Sequence, residues 1–167
     1  VDFTVTNPND FDSTYNIKND LEFGGTTDGT SRLAVLVGWS TADYNNEGSG
    51  NITGQPISIN PIEDATGQGA GVYRVTATLP AGATGSGVVG IEGHPAGGAS
   101  NDIQVPVQSA VEYFAIDDAS AVARRDVVSV TETCAKCHGE LSMHGSNRNN
   151  EGALCVICHN ANATDII

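Results

Sequence analysis

The stretch from Cys134 to Ile167 holds all four cysteines and three of the four histidines, so whatever this chain folds into must be built to carry them. They fall as Cys134-Ala-Lys-Cys137-His138 and Cys155-Val-Ile-Cys158-His159. Cys-x-x-Cys-His is the attachment signature of a c-type haem. Two thiols three positions apart reach the two vinyl groups on one porphyrin edge and form thioethers. The following histidine then stands under the iron and supplies the proximal imidazole. The two matches, lying between Cys134 and His159, use every cysteine in the chain.

Two other chemistries share this spacing. Cys134, Cys137, Cys155 and Cys158 fit a zinc ribbon, because the spacer from Cys137 to Cys155 falls inside the usual range for two thiolate pairs. A zinc-stapled tail would make the chain a structural or binding module. Zinc, however, has no need of a histidine after each pair. A pair of redox dithiols is the third reading, but neither pair opens a helix within a β-α-β pattern. Covalent attachment of two haem c groups accounts for the most residues.

At 167 residues the chain predicts one domain, or one with an appendage. Twenty glycines and many Thr, Ser, Asn and Asp point to short strands joined by turns. A net charge of −13 argues against nucleic acid or an anionic membrane as partner, because phosphate binding needs clustered Lys and Arg. No apolar run approaches the length of a bilayer span. Neither a signal peptide nor an initiator Met is present, so the chain is expected to be a processed protein or a piece of a longer one. Thioether attachment normally occurs outside the cytoplasm, which predicts an exported protein.

Residues 1–120 read as a mainly β domain, a β-sandwich or split β-barrel of Greek-key type. Residues 1–6 alternate apolar and polar and run into the turn signal Asn7-Pro8-Asn9-Asp10. Residues 33–39 form a continuous apolar run, the pattern of a strand buried in the core. Residues 57–59 are short and bounded by Pro56 and Pro61. Residues 71–79 alternate, with Tyr73, Val75, Ala77 and Leu79 on one face. Residues 88–92, 103–107 and 111–116 complete about seven strands at sandwich or barrel spacing.

Residues 121–133 read as a connector, with Arg124-Arg125 and a final strand at 127–130. Of seven basic residues, four lie between 124 and 148, serving either solubility or the haem propionates. Residues 134–167 are expected to be a mostly irregular dihaem segment, with short helical turns at 134–141 and 153–159. Leu141, Leu154, Val156 and Ile157 are too few to form a core, so the porphyrins are expected to supply it.

Two haems with two protein ligands each need four donors, and there are four histidines. His138 and His159 are proximal by their motifs. His144 follows His138 closely, a short tether for reaching the opposite face of the same porphyrin, so the second haem is its easier target. His94, in Gly93-His94-Pro95, is the candidate distal ligand of the first haem or an ordinary exposed histidine. Met143 is a competing distal donor that can instead pack on porphyrin.

Other patterns carry less. Asp43-x-Asn45-x-Glu47-Gly48 opens like an EF-hand loop, but its twelfth position is Gly54 rather than a carboxylate. Gly67-x-Gly69-x-Gly71 lacks a strand-to-helix context for phosphate. Asn51-Ile-Thr53 and Asn162-Ala-Thr164 fit the glycosylation pattern. No Ser/His/Asp set or carboxylate pair is placed by spacing for hydrolysis.

The chain resembles the OmcA/MtrC-type outer-membrane multihaem cytochromes of metal-reducing bacteria. The resemblance rests on residues 33–39 with Asp43-Tyr44, on Gly90-Ile-Glu-Gly-His-Pro95, and on Arg124-Arg125-Asp-Val-Val128. Its most specific part is Cys134-x-x-Cys-His-x-x-Leu141-x-x-His144-Gly145 through Cys155-x-x-Cys-His-Asn160 to Thr164-Asp165. It implies a split β-barrel domain ahead of a haem-packed one, with electrons passing between stacked haems at the outer cell surface. Both attachment motifs match the family pattern, and His144 and His94 match its ligand-bearing stretches. Members of that family carry about ten haems, whereas this chain has two motifs. The expectation is an electron-transfer protein rather than a bond-making enzyme, with incidental reduction of metal oxides or flavins at exposed haems. Its expected partners are neighbouring cytochromes, extracellular acceptors, or copies of itself stacked into a filament.

Overall fold

The computed structural model describes residues 1–24, 30–40, 55–117, 120–122 and 126–159. Outside them lie Arg124-Arg125, the EF-hand-like stretch at 43–54 with Tyr44, and both glycosylation patterns. Asn160, Thr164 and Asp165 lie outside them too.

Within these residues the elements run in the order β1 (Asp2–Phe3), β2 (Thr6–Asn7), β3 (Ser13–Thr14), β4 (Arg32–Ser40) and β5 (Ile57–Ile59). After them come α1 (Pro61–Asp64), β6 (Thr66–Gly69), β7 (Val72–Arg74), β8 (Ser86–His94), β9 (Ala96–Gly97), β10 (Ile103–Gln104) and β11 (Ala110–Ala115). The cysteine-bearing segment adds α2 (Ala135–His138), β12 (Ser142–Met143), β13 (Arg148–Asn149) and α3 (Gly152–Cys158).

Strands β11-β8-β4-β5 form a four-stranded antiparallel sheet, and β1-β7-β6 a three-stranded one. The fold is thus mainly β, with no closed barrel among the described residues. The apolar run at 33–39 is continuous because both faces of β4 are covered. Leu33, Val35 and Val37 pack on one side with Phe3, Ile17, Phe23, Tyr73, Val75 and Val89. Phe3 and Tyr73 bring the smaller sheet into that core, their ring centroids 6.1 Å apart. Between Val72 and Leu79 the ladder stops at Arg74, yet the predicted alternation holds. Tyr73 and Val75 are buried, and Ala77 and Leu79 pack against the core.

The other face of β4 and β8 decides where the cysteine segment sits. Ala34, Leu36 and Val88 form a second core cluster with Leu154 and Ile157 of α3. These two side chains are 1% and 0% exposed, so the segment after Cys134 does have an apolar core; it shares one with the sheet. That corrects the expectation that porphyrin alone could supply it. Gly90 makes the close approach possible: a Cβ there would lie 2.3 Å from Leu154 Cδ1 and 2.9 Å from Ile157 Cδ1. Residues 127–130 are not a strand; Val130 is buried, and its carbonyl accepts from the Ala135 N–H at 2.8 Å.

The Gly90 seat is testable. Leu154→Ala is expected to destabilise the chain by about 2–5 kcal/mol through the cavity it leaves. Gly90→Val should cost about 1–3 kcal/mol through overpacking. Because the added methyls would enter the space vacated by Leu154, urea unfolding of the double variant should show less than the sum of the two.

Candidate functional site

Helix α3 starts where Glu151 accepts the Ala153 N–H through its side chain at 2.9 Å, satisfying one of the orphan donors of the first turn. Leu154 and Ile157 face the sheet, and Cys155 and Cys158, three apart, are half-buried. The chain leaves the helix at His159, whose N–H bonds to Cys155 O at 2.9 Å. Sheet packing therefore fixes the second Cys-x-x-Cys-His run in place.

A hairpin faces it. Strands β12 and β13 pair antiparallel, Ser142 with Asn149 and Met143 with Arg148. His144, Gly145 and Ser146 turn the chain at positive φ, and Asn147 closes the turn by donating its side-chain N–H to His144 O at 2.6 Å. The hairpin is tied to the β domain at several points. Asn147 O accepts the Gly93 N–H at 2.7 Å, and Asn149 and Ser109 exchange backbone and side-chain bonds at 3.1 and 3.2 Å.

Its strongest tether is Glu92, a carboxylate only 1% exposed. In the β4–β8 register Glu92 lies opposite Ala34, on the face that carries Leu36 and Gly90. Arg148 reaches it from the hairpin with a charge-assisted bond from Nε and a second contact from Nη2 at 3.4 Å. Arg32 of β4 approaches the same carboxylate at 3.7 Å. Arg148 is thus engaged by Glu92, and Lys136 pairs with Glu132 at 3.4 Å. Two of the four basic residues at 124–148 therefore have protein partners. The sequence offered Arg148 for solubility or for haem propionates and gave Glu92 no role; the available signal was a single acid inside the apolar run 88–92.

The hairpin brings His144 against His159, with ring centroids 6.1 Å apart and planes inclined by 33°. Two imidazoles binding one metal from opposite sides, each through a nitrogen about 2 Å away, have ring centres on the order of 6 Å apart. The pair therefore has the separation of two axial ligands, and Cys155 and Cys158 lie on the helix immediately before one of them. These residues fit a covalently attached haem.

Electrostatics at this site favour ligation over thiol redox chemistry. Burial pushes the Cys155 and Cys158 thiols up, with Arg148 opposing it, whereas a redox dithiol needs a lowered pKa. Burial, then the Arg148 and His159 charges, hold His144 below the usual imidazole range, which favours the neutral form that binds iron.

The first run is set differently. Cys134 stands at the N-terminus of α2, and Cys134, Cys137 and His138 are all exposed. His94 ends β8 rather than sitting in a loop, and it is 2% exposed. Its Nδ1 lies 3.3 Å from Pro95 O, and the Thr30 backbone also hydrogen-bonds the ring. Among the described residues no hydrogen bond or ring contact joins it to either Cys-x-x-Cys-His run. Met143 is half-exposed on β12.

None of the four cysteines is in a disulfide. Among the described residues, which include all four, no three of His, Cys, Asp or Glu converge as a metal site.

This arrangement defines a β-sheet domain with a cysteine-bearing segment packed on its outer face. Its fold is similar to that of MtrC from Shewanella baltica OS185, in a crystal structure matched with a TM-score of 0.52 and 19% identity. The match covers 99% of this chain and 28% of that one, so the chain spans less than a third of its neighbour's length. No family model matches the chain. No curated protein matches it either.

Glu92→Gln is expected to leave Arg148 without its counter-charge and to loosen the hairpin. Breaking a buried pair of this kind costs about 3–5 kcal/mol, and the 20% exposure of Arg148 places the loss at the lower end. Hydrogen exchange should locate the effect at 142–149 more than in β4 and β8.

Proposed function

We propose that this chain is a dihaem c-type cytochrome that carries electrons outside the cytoplasm. Cys134 and Cys137 hold one haem, with His138 as its proximal ligand. Cys155 and Cys158 hold the other, with His159 proximal and His144 distal. The observation that carries the reading is the 6.1 Å His144–His159 pair beside the Cys155/Cys158 helix. Bound haem supplies reversible one-electron exchange between ferric and ferrous iron.

The chain's own residues account for position and environment. Leu154 and Ile157 clamp α3 to the sheet, so the second pair of thioether sulfurs has a rigid base. Glu92 and Arg148 hold the hairpin that presents His144, and a ligand fixed by a rigid frame keeps reorganisation on electron transfer small. The exposed Cys134, Cys137 and His138 leave the first haem's edge accessible to a neighbouring cytochrome, an extracellular acceptor, or another copy in a filament. The role is electron carriage rather than bond-making.

An exported location agrees with thioether attachment, which normally occurs outside the cytoplasm. No helix among the described residues is long and apolar enough to cross a membrane. The similarity to part of MtrC supports the β-domain half of the reading.

Intact mass measurement tests it. The holoprotein should exceed its polypeptide mass by two porphyrins, with pigment that survives acid-acetone extraction. A Cys155→Ala/Cys158→Ala double variant should keep one covalent haem. A colourless protein at its bare polypeptide mass would refute the proposal.

A further inference from the structure

The sheet face opposite the cysteine segment carries a cavity of about 450 Å³. Small-molecule sites run from about 300 to 1,000 Å³, so the space is large enough to hold one. Residues 4–9, running through β2, form one wall, and residues 105–110, leading into β11, form another. Leu33, Gly93, Pro95 and Ser109 are the buried residues at its inner end.

Its lining is neutral. Val5, Leu33, Ile91 and Val105, with the rings of Pro95 and Pro106, supply an apolar body. Thr6, Asn7, Asn9 and Gln108 add uncharged polar groups. Glu92 is the one charged residue that lines it, and its carboxylate is held by Arg148 and Arg32. By strand alternation that carboxylate belongs to the other face, with Ala34 and Leu36. Tyr15 also lines the cavity, its ring set edge-on to Phe23 with centroids 5.2 Å apart. Its hydroxyl makes no hydrogen bond among the described residues and is a donor for a ligand. An anion would meet no cation in this lining and would be repelled by a chain of charge −13. A cation would lose its water with no free carboxylate to replace it.

We infer that this cavity is a binding site for an uncharged one- or two-ring compound with a hydrogen-bond acceptor on its edge. The rings displace water from the aliphatic and proline walls, and the acceptor takes the Tyr15 hydroxyl or a side-chain amide N–H. Two inner-end residues also hold the hairpin that carries His144. The Gly93 N–H donates to Asn147 O at 2.7 Å, and the Ser109 N–H donates to Asn149 O at 3.1 Å. An occupant therefore sits against the residues to which that hairpin is tied. Nothing in this site depends on bound haem.

Equilibrium dialysis of the whole protein against coumarin, a neutral two-ring lactone, tests this, with coumarin-3-carboxylate as the charged counterpart. Coumarin is expected to bind at one equivalent per chain, and the carboxylate at least about tenfold more weakly. Tyr15→Phe keeps the ring contact with Phe23 and should weaken coumarin about fivefold. Val107→Trp should abolish binding by filling the cavity, with an unchanged urea midpoint showing that the variant folds. Coumarin should also slow hydrogen exchange at Gly93 and Ser109. Should Val107→Trp fail to fold, Tyr15→Phe and the exchange map decide. No binding of coumarin, equal binding of the carboxylate, or full affinity in both variants would overturn the inference. So would protection confined to residues away from the cavity.

Discussion

A buried carboxylate organises this molecule. Glu92 sits in β8 on the same face as Val88, Gly90 and His94, with its side chain only 1% exposed. Removing a charge from water there is costly unless it is paired and hydrogen-bonded. Arg148 meets that demand and brings the whole hairpin with it; Arg32 adds a longer contact from the adjacent strand. Such a pair need not add net stability, because desolvation offsets much of its attraction. What it adds is position: few other placements of the hairpin would leave the Glu92 charge compensated.

Two independent anchors then meet at one place. Helix α3 is held by apolar contact through Leu154 and Ile157 over the side-chain gap at Gly90. The hairpin is held by charge and by backbone bonds to Gly93 and Ser109. His159 comes from the first anchor and His144 from the second, and their rings meet at axial-ligand separation. A residue at positive φ, as His144 is, has a backbone direction that a strand position would not offer. The first Cys-x-x-Cys-His run has no comparable scaffold, since α2 is one exposed turn with no buried residue of its own.

Much of the sheet was legible because it depends on local pattern. The run at 33–39 and the alternation of Tyr73, Val75, Ala77 and Leu79 reflect which side chains face apolar surroundings. The hairpin was not legible as such. Its strands are very short, its composition is polar, and its Gly and Asn residues signal turns without saying what they connect. His94 followed the same limit: Gly93-His94-Pro95 resembles a loop, but β8 extends through it because β4 is long enough to pair Arg32 opposite His94.

The sequence by itself set the spacing of the two Cys-x-x-Cys-His runs, and with it the expectation of thioether attachment, because covalent reach is a matter of one short motif. It also determined the β character of the region 1–120, which follows from a period of two in apolar side chains. The short tether from His138 already pointed His144 toward the second run; tertiary structure set its ring 6.1 Å from that of His159. His144 and His159 come from different elements, and the Glu92–Arg148 tether behind them joins positions 56 apart in the chain. The folded chain likewise decided that the cysteine segment borrows its core from the sheet. Pairing across such separations is selected by burial and charge compensation, and no local spacing records it.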